Sequence, residues 1–277
     1  MEHINRILKK VELDNDIRIL FASETGSRST GLAAPDSDWD VKAIYIHKLD
    51  WYLKVEENTK TELALKSEVD ETDLHAYELR RALRLMKNGN PTLIETLFSS
   101  VVYYSVPDVT QELQELMSIF YNRKTMAYHY VNIVKQNVHQ YIYNRELVNR
   151  KKYIYILQYL LRGKYLIEHH DDPRTLPPLN LDELISQVQV PQELLSILNE
   201  LITRKRSASG QWEKEPPISL VDDYIVKLRT DLKAHADKIL SNEPRYIDTL
   251  SAEEQNQVEA RMDNLIKKCI TNFENFN

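Results

Sequence analysis

The stretch from Ile17 to Ile46 constrains this chain more than any other, because it joins an apolar run to a glycine-serine turn. The apolar, β-branched run Ile17–Ala22 is typical of a strand. The turn after it contains Gly26, Ser27 and Arg28 and precedes a short segment of helical composition. Such a turn offers backbone N–H groups, a hydroxyl, a guanidinium and the positive end of a helix dipole. We therefore predict that Gly26, Ser27 and Arg28 bind phosphate.

Two aspartates, Asp38 and Asp40, stand at the start of a second predicted strand, Val41–Ile46. Because strand side chains alternate between faces, we expect both carboxylates on one face, roughly 6.6 Å apart at about 3.3 Å per residue. Two like charges held together favour a cation between them, and hard oxygen ligands favour Mg²⁺ or Mn²⁺ over zinc. A phosphate-binding turn followed by this pair predicts a nucleoside triphosphate substrate and phosphoryl or nucleotidyl transfer.

The order of these motifs resembles the signature of the DNA polymerase β nucleotidyltransferase superfamily: Gly26-Ser27, a spacer, then Asp38-x-Asp40 followed by apolar residues. One branch, the predicted nucleotidyltransferases found beside RNA ligases, is similar over roughly the first two thirds of the chain. The strings that carry this likeness are ETGSR from Glu24, PDSDWDV from Pro35, YIHKLDWY from Tyr45, YELRRAL from Tyr77, GNPTLIE from Gly89, AYHY from Ala127 and KKYIY from Lys151.

The resemblance implies a site with two divalent ions and three carboxylates. Asp38 and Asp40 would be two of the metal ligands. The third carboxylate, from a neighbouring strand, would complete the metal site and take a proton from the attacking hydroxyl. Spacing alone leaves four candidates: Glu68, Asp70, Glu71 and Asp73. In the family an Asp stands four residues before the aromatic residue that matches Tyr77, which selects Asp73, with Asp70 as second choice. The alternative role of Asp73 is to cap the helix that follows.

Several cations are candidates for phosphate contacts. Strand alternation places Lys42 on the face of the two aspartates, although an exposed strand lysine is the alternative. Lys151 and Lys152, with Arg145 and Arg162 nearby on predicted helices, would form a basic strip that contacts triphosphate or a polynucleotide backbone. A solvated helix face is the alternative for this strip, and the sequence alone does not choose between the two.

Composition narrows the function classes. The chain has 277 residues, a net charge of −6 and a pI near 5.8. This balance excludes a protein that coats nucleic acid through its global charge. The single cysteine, Cys269, excludes an internal disulfide and fits a reducing compartment. No apolar run approaches ~18 residues and the first residues lack a signal-peptide pattern, so we expect a cytoplasmic protein with no membrane partner.

The predicted fold class is α+β in two domains. Residues 1–106 would form a polymerase-β-like nucleotidyltransferase domain with a mixed sheet, and residues 107–277 a helical domain that closes the cleft. Besides the strands above, we expect strands near 62–69 and 101–104, and helices over 1–15, 75–88 and from 91 onward. Seven further helices are predicted over 108–121, 124–146, 150–168, 181–188, 192–206, 219–240 and 251–276.

The leading hypothesis is a metal-dependent nucleotidyltransferase that moves a nucleoside monophosphate from an NTP to a hydroxyl and releases pyrophosphate. The likeness to RNA-ligase neighbours makes an RNA 3′ end, for example that of a tRNA in a repair setting, the expected acceptor. A protein hydroxyl or a small molecule is the second choice. The competing class is a noncatalytic module of the same fold that binds nucleotide, RNA or protein. Inactive relatives usually lose part of the carboxylate set, so the presence of Asp38, Asp40 and Asp73 favours the enzyme.

Overall fold

The computed structural model describes residues 1–56, 60–67, 71–169, 174–207, 212–238 and 243–275. The chain divides into two compact units. The first contains Met1–Ser29, Asp38–Tyr121 and Pro244–Asn277, and the second contains Thr30–Ser37 and Asn122–Glu243. None of the described helices is both long and apolar enough to cross a membrane.

The first unit is built on a sheet. Its strands in the described residues are β1 (Ile17–Glu24), β2 (Trp39–His47), β3 (Glu62–Ser67), β4 (Thr72–Glu78) and β5 (Val102–Ser105). They are arranged in the order β3-β4-β2-β1-β5. The β2 and β4 strands run parallel, whereas the other neighbouring pairs run antiparallel. The predicted α+β fold with a mixed sheet is therefore confirmed.

The described helices follow one another along both units. They are α1 (Glu2–Asn15), α2 (Leu49–Tyr52), α3 (Leu79–Lys87), α4 (Pro91–Leu97), α5 (Pro107–Phe120), α6 (Arg123–Tyr141), α7 (Lys151–Glu168), α8 (Leu181–Gln187), α9 (Gln192–Ser207), α10 (Ser219–Lys238), α11 (Tyr246–Thr249) and α12 (Ala252–Thr271). A short 3₁₀ turn, Phe273–Asn275, follows α12. As the sequence spacing predicts, Ser251 and Glu254 form a capping box at the start of α12.

The core of the first unit explains why the chain divides where it does. Amphipathic α1 buries Ile4, Leu8 and Val11 against the apolar face of β1 and β2. Helix α5 packs against α3, α4 and β1, and α12 packs against α3, α5 and β2. On this interface Arg261 of α12 pairs with Glu112 of α5 at 2.9 Å. Because α5 and α12 cover the sheet, the observed division differs from the expected one between residues 106 and 107.

The β4 strand corrects one prediction, because a helix was expected from His75. Burial alternates along Thr72–Glu78, with Leu74 and Ala76 buried between more exposed neighbours, which is the period of a strand. Glu78, not Asp73, then caps α3: its carboxylate accepts the backbone N–H of Arg81 at 3.0 Å. The alternative role of Asp73 as a helix cap is therefore wrong.

The second unit is helical, and its core lies around α7. The apolar cluster there includes Leu157, Leu160 and Leu161 of α7, and Leu32 from the short segment Thr30–Ser37 joins it. Arg162 is 2 % exposed and donates to the backbone oxygen of Leu179 at 3.0 Å. Arg162 is therefore a buried structural residue and does not belong to the predicted basic strip.

Candidate active site

The turn after β1 keeps the residues that the sequence singled out, but it has a different shape. Residues 25–38 contain turns and no helix. The Ser29 hydroxyl donates to the backbone oxygen of Gly26 at 2.8 Å, a local bond that competes with helix formation. The expected helix after the turn is therefore wrong, and a phosphate there would gain nothing from a helix dipole.

Position 26 requires glycine because its backbone closely approaches the Asp40 side chain. A Cβ placed on Gly26 would lie 1.8 Å from Oδ2 of Asp40 and 2.7 Å from its Cβ. The φ of Gly26 is not positive, so this position needs glycine for room and not for backbone freedom. The turn and the carboxylate strand thus meet in direct contact.

Glu24, at the end of β1, ties the turn to β2, although its place in the string ETGSR indicated no chemical role for it. It has no exposed surface. Its Oε1 accepts the N–H groups of Gly26 and Asp40, both at 3.0 Å, and its Oε2 accepts the Tyr103 hydroxyl at 2.5 Å. Burial raises the pKa of Glu24, and the hydrogen bonds from Tyr103, Gly26 and Asp40 oppose this rise. Because Glu24 takes the Gly26 N–H, that group is already used within the site.

The three predicted carboxylates lie on neighbouring parts of the sheet. Asp40 of β2 is in register with Asp73 of the parallel strand β4. Asp38 is exposed and precedes β2, whose first residue is Trp39. Burial raises the pKa of Asp40, and the charges of Asp38 and then Asp73 raise it further. The fold therefore places both Asp38 and Asp73 within electrostatic reach of Asp40.

Two cations counter this negative charge. Lys42 and Arg28 both lower the pKa of Asp40, although less than burial and the neighbouring carboxylates raise it. The Arg28 guanidinium lies over the ring of Trp39, 3.7 Å from its centroid. The ring centroids of Trp39 and Tyr103 are in turn 6.1 Å apart. Trp39 thus holds Arg28 beside Asp40, through a contact between aromatic face and guanidinium that sequence spacing did not predict.

The donor chemistry of this cluster fits a divalent metal. Among the residues that the structure describes, no three His, Cys, Asp or Glu side chains converge closely enough to hold an ion. A partly buried carboxylate with two acidic neighbours and a raised pKa is nevertheless the setting that a hard cation stabilises. Of the other candidates for third ligand, Glu68 and Asp70 lie outside the described residues, and Glu71 is exposed with a φ of 49°.

Comparison with known proteins adds to this geometry. The model of the family described as "RNA repair pathway DNA polymerase beta family" matches residues 1–253. The chain belongs to this family. It is 32% identical over 218 residues to the uncharacterized protein YcgL of Bacillus subtilis (strain 168), a match that covers 79% of this chain and 81% of that protein. Membership in the RNA repair pathway DNA polymerase beta family confirms the resemblance to polymerase β nucleotidyltransferases.

A solved structure is also similar, at a low level. It is a nucleotidyltransferase-like protein from Exiguobacterium sibiricum 255-15, with a TM-score of 0.29 and 11% identity, covering 98% of this chain and 76% of that one. A likeness this low supports no conclusion about the substrate or mechanism of this chain.

Two other predicted site residues, Lys151 and Lys152, lie at the start of α7 in the second unit. The backbone N–H of Lys151 donates to Asn149 Oδ1 at 3.0 Å, and the Lys152 ammonium lies 4.2 Å from the ring centroid of Tyr141. Nearby Arg150 pairs with Glu215 at 2.9 Å. A phosphate contact by Lys151 and Lys152 stays a prediction.

The Glu24 bonds give a testable difference between two substitutions. Glu24→Ala removes the acceptor of the Gly26 and Asp40 N–H groups, and each buried donor left unsatisfied costs about 1–3 kcal/mol. Glu24→Gln keeps Oε1 and can turn its amide NH₂ toward the Tyr103 hydroxyl oxygen. We therefore expect chemical denaturation to show a large loss of unfolding free energy for Glu24→Ala and a small loss for Glu24→Gln. Equal losses would contradict this role of Oε1.

Proposed function

We propose that the protein is a metal-dependent nucleotidyltransferase that transfers a nucleoside monophosphate from an NTP to an RNA 3′ end. The observation that carries this proposal is the position of Asp40: partly buried, beside Asp38 and Asp73, and in contact with the turn at Gly26. Family membership supports the transferase class and the RNA-repair setting. A cytoplasmic location, in line with the single Cys269, belongs to the same proposal.

In this proposal the site residues divide into metal ligands, phosphate-binding residues and a proton acceptor. Asp38, Asp40 and Asp73 would hold two Mg²⁺ or Mn²⁺ ions, which when bound neutralise phosphate charge and acidify the acceptor hydroxyl. Ser27 and Arg28 bind the β- and γ-phosphates, and Lys42 adds positive charge beside Asp40. Asp73 accepts the proton of the acceptor hydroxyl. The hydroxyl oxygen then bonds to the α-phosphorus as the opposite P–O bond breaks, and pyrophosphate leaves with that electron pair.

Three alternatives are open to the same test. The acceptor would otherwise be a protein hydroxyl or a small molecule, and the competing class is a noncatalytic module that binds nucleotide, RNA or protein. The complete set of three carboxylates, with Asp40 and Asp73 in register on β2 and β4, favours the enzyme over that module.

The decisive experiment incubates the protein with each α-labelled NTP, in turn with total cellular RNA and with total protein, in the presence of Mg²⁺ or of EDTA. Metal-dependent label in RNA, removed by alkaline hydrolysis or a 3′ exonuclease, is the expected result. Label in protein would move the acceptor to a protein hydroxyl. If neither pool is labelled, pyrophosphate release in a small-molecule extract would move the acceptor to a small molecule, and no release while the protein still binds nucleotide would support the noncatalytic module.

Ser27→Ala and Arg28→Ala should weaken NTP binding. Each removes one charge-assisted contact to phosphate, worth roughly 1.5–3 kcal/mol, or about a ten- to hundredfold higher Kd. Arg28→Lys should recover only part of the loss, because an ammonium cannot stack flat on Trp39. Calorimetric titration with an NTP analogue that cannot transfer its α-phosphate measures this. A Kd unchanged in both alanine variants would place the phosphate site elsewhere.

A further inference from the structure

A groove of about 660 Å³ lies between α6 and α10, within the second unit. The nucleotide and metal residues proposed above, except Lys151 and Lys152, belong to the first unit. The groove is therefore a candidate binding site distinct from the proposed nucleotide and metal site. Its walls combine four kinds of side chain: cations, an aromatic pair, amides and aliphatic residues.

The charge of the groove opposes that of the whole chain. Lys135 and Arg229 line its two sides, His139 lies between them in sequence, and none of its lining residues in the described chain is Asp or Glu. The whole chain has a net charge of −6. A local cationic groove in an acidic protein fits an anionic partner, since phosphates contact Lys and Arg directly.

The aromatic pair sits where α6 ends. Tyr143 is 62 % exposed, and its ring is within 11° of parallel with that of His139 at a centroid distance of 6.4 Å. The Tyr143 N–H donates to the oxygen of Val138 at 2.8 Å, and Asn144 adopts a left-handed φ of 55°. This helix ends at Tyr141 and not at the predicted residue 146, so the exposed ring stands on a fixed turn. Such a ring is a stacking surface for an unpaired base.

Amide side chains line the α6 wall of the groove. Asn132, Lys135, Gln136 and His139 are exposed and follow one another at helical spacing along α6. Asn and Gln side chains both donate and accept hydrogen bonds, so they match the edges of bases that are not paired. Opposite them, Val226 of α10 is 57 % exposed and offers an apolar contact.

We propose that this groove binds single-stranded RNA, with Lys135 and Arg229 on phosphates and Tyr143 stacked on a base. The choice of RNA rests on the proposed function, in which RNA is the acceptor. In the described chain the lining has cations and no carboxylate, which matches the phosphates of RNA, and the amides along its α6 side match unpaired base edges, while Val138, Ile225 and Val226 form its apolar part. The groove is thus an RNA-binding surface in addition to the predicted strip around Lys151 and Lys152, from which buried Arg162 is removed.

The test measures binding of a short labelled single-stranded RNA by anisotropy, with EDTA and without NTP, over a range of salt. Lys135→Ala with Arg229→Ala should flatten the log Kd–log salt slope by about 1.4, because each phosphate neutralised on a single strand contributes about 0.7. The matched control, Lys9→Ala with Lys10→Ala, removes the same charge from exposed positions on α1 and should leave the slope unchanged. Tyr143→Ala should weaken binding about tenfold, whereas Tyr143→Phe keeps the stacking face and the affinity.

Several outcomes would overturn the proposal. They are no RNA binding by the unaltered protein at low salt, an equal change of slope in the Lys9 and Lys10 control, or a Tyr143→Ala variant that binds like Tyr143→Phe. A changed molar mass of the groove variants in light scattering would instead make the groove an interface between copies of the chain. Because the assay contains neither metal nor NTP, RNA binding with no transfer activity would contradict the proposed function and leave the groove standing.

Discussion

Asp40→Asn removes nucleotide transfer, with an expected loss of roughly 10²–10³ in kcat/KM, the size seen when one preorganised electrostatic group is deleted. The reason is position: Asp40 lies in register with Asp73, next to Asp38 and against Gly26. An amide keeps the shape of the side chain but cannot neutralise a divalent ion. The measurement is the rate of label transfer at saturating Mg²⁺, with Asp14→Asn, an exposed change on α1, as the matched control.

The same substitution should make the metal-free protein more stable, not less. The pKa of Asp40 is raised above its ordinary 3.8, so ionised Asp40 destabilises the fold at neutral pH. Below the ordinary pKa both folded and unfolded states carry the proton and the penalty disappears. The Tm of Asp40→Asn should therefore exceed that of the unaltered protein at pH 7 in EDTA, and the gap should close as the pH falls toward about 4.

Added Mg²⁺ tests whether the loss of transfer and the gain of stability in Asp40→Asn have the same cause. A cation among Asp38, Asp40 and Asp73 would remove the repulsion, so it should raise the Tm of the unaltered protein more than that of Asp40→Asn. A variant that is less stable than the unaltered protein at pH 7, or one that transfers at a rate within tenfold of it, would reject the metal-ligand assignment of Asp40.

The sequence predicted the local parts of the site but not the bonds between them. The turn at Gly26 and the pair Asp38 and Asp40 lie on one short stretch, so spacing and periodicity were enough to find them. Glu24 gained its role only from folding, because its partners include Asp40 and Tyr103, far apart along the chain. One signal was available: a glutamate at the end of the apolar strand β1 needs hydrogen-bond donors once it is buried.

Two other wrong predictions have the same kind of cause. The predicted helix over 75–88 overlaps the end of β4, where tertiary pairing with β2 decides the structure. Arg162 was assigned to a surface strip, yet it lies on α7, which is apolar on almost every side and buried along most of its length. A cation on the buried face of such a helix enters the core with a hydrogen-bond partner, as Arg162 does with the Leu179 oxygen.

Gly26→Ala should disable the protein through a single methyl group. The new Cβ would lie 1.8 Å from Asp40 Oδ2, which a side-chain rotation can relieve, but also 2.7 Å from Asp40 Cβ, which it cannot. The backbone of Asp40 is held by its N–H bond to Glu24 and by the Thr25 N–H bond to its oxygen. Either the turn or the strand must move, at a cost of about 1–3 kcal/mol for overpacking. We expect transfer activity to fall roughly as far as in Asp40→Asn, by about 10²–10³.

The control separates this displacement from ordinary loss of stability. Gly89 has a φ of 60°, so Gly89→Ala strains the backbone at the end of α3 by about 1 kcal/mol without touching the site. Both variants should unfold at lower denaturant, and only Gly26→Ala should lose transfer. A double-mutant cycle with Asp40→Gly then tests the contact itself, since removal of the Asp40 side chain should cancel the stability cost of Gly26→Ala. A cost that persists in the Asp40→Gly background would show that Gly26 is required for a reason other than room for Asp40.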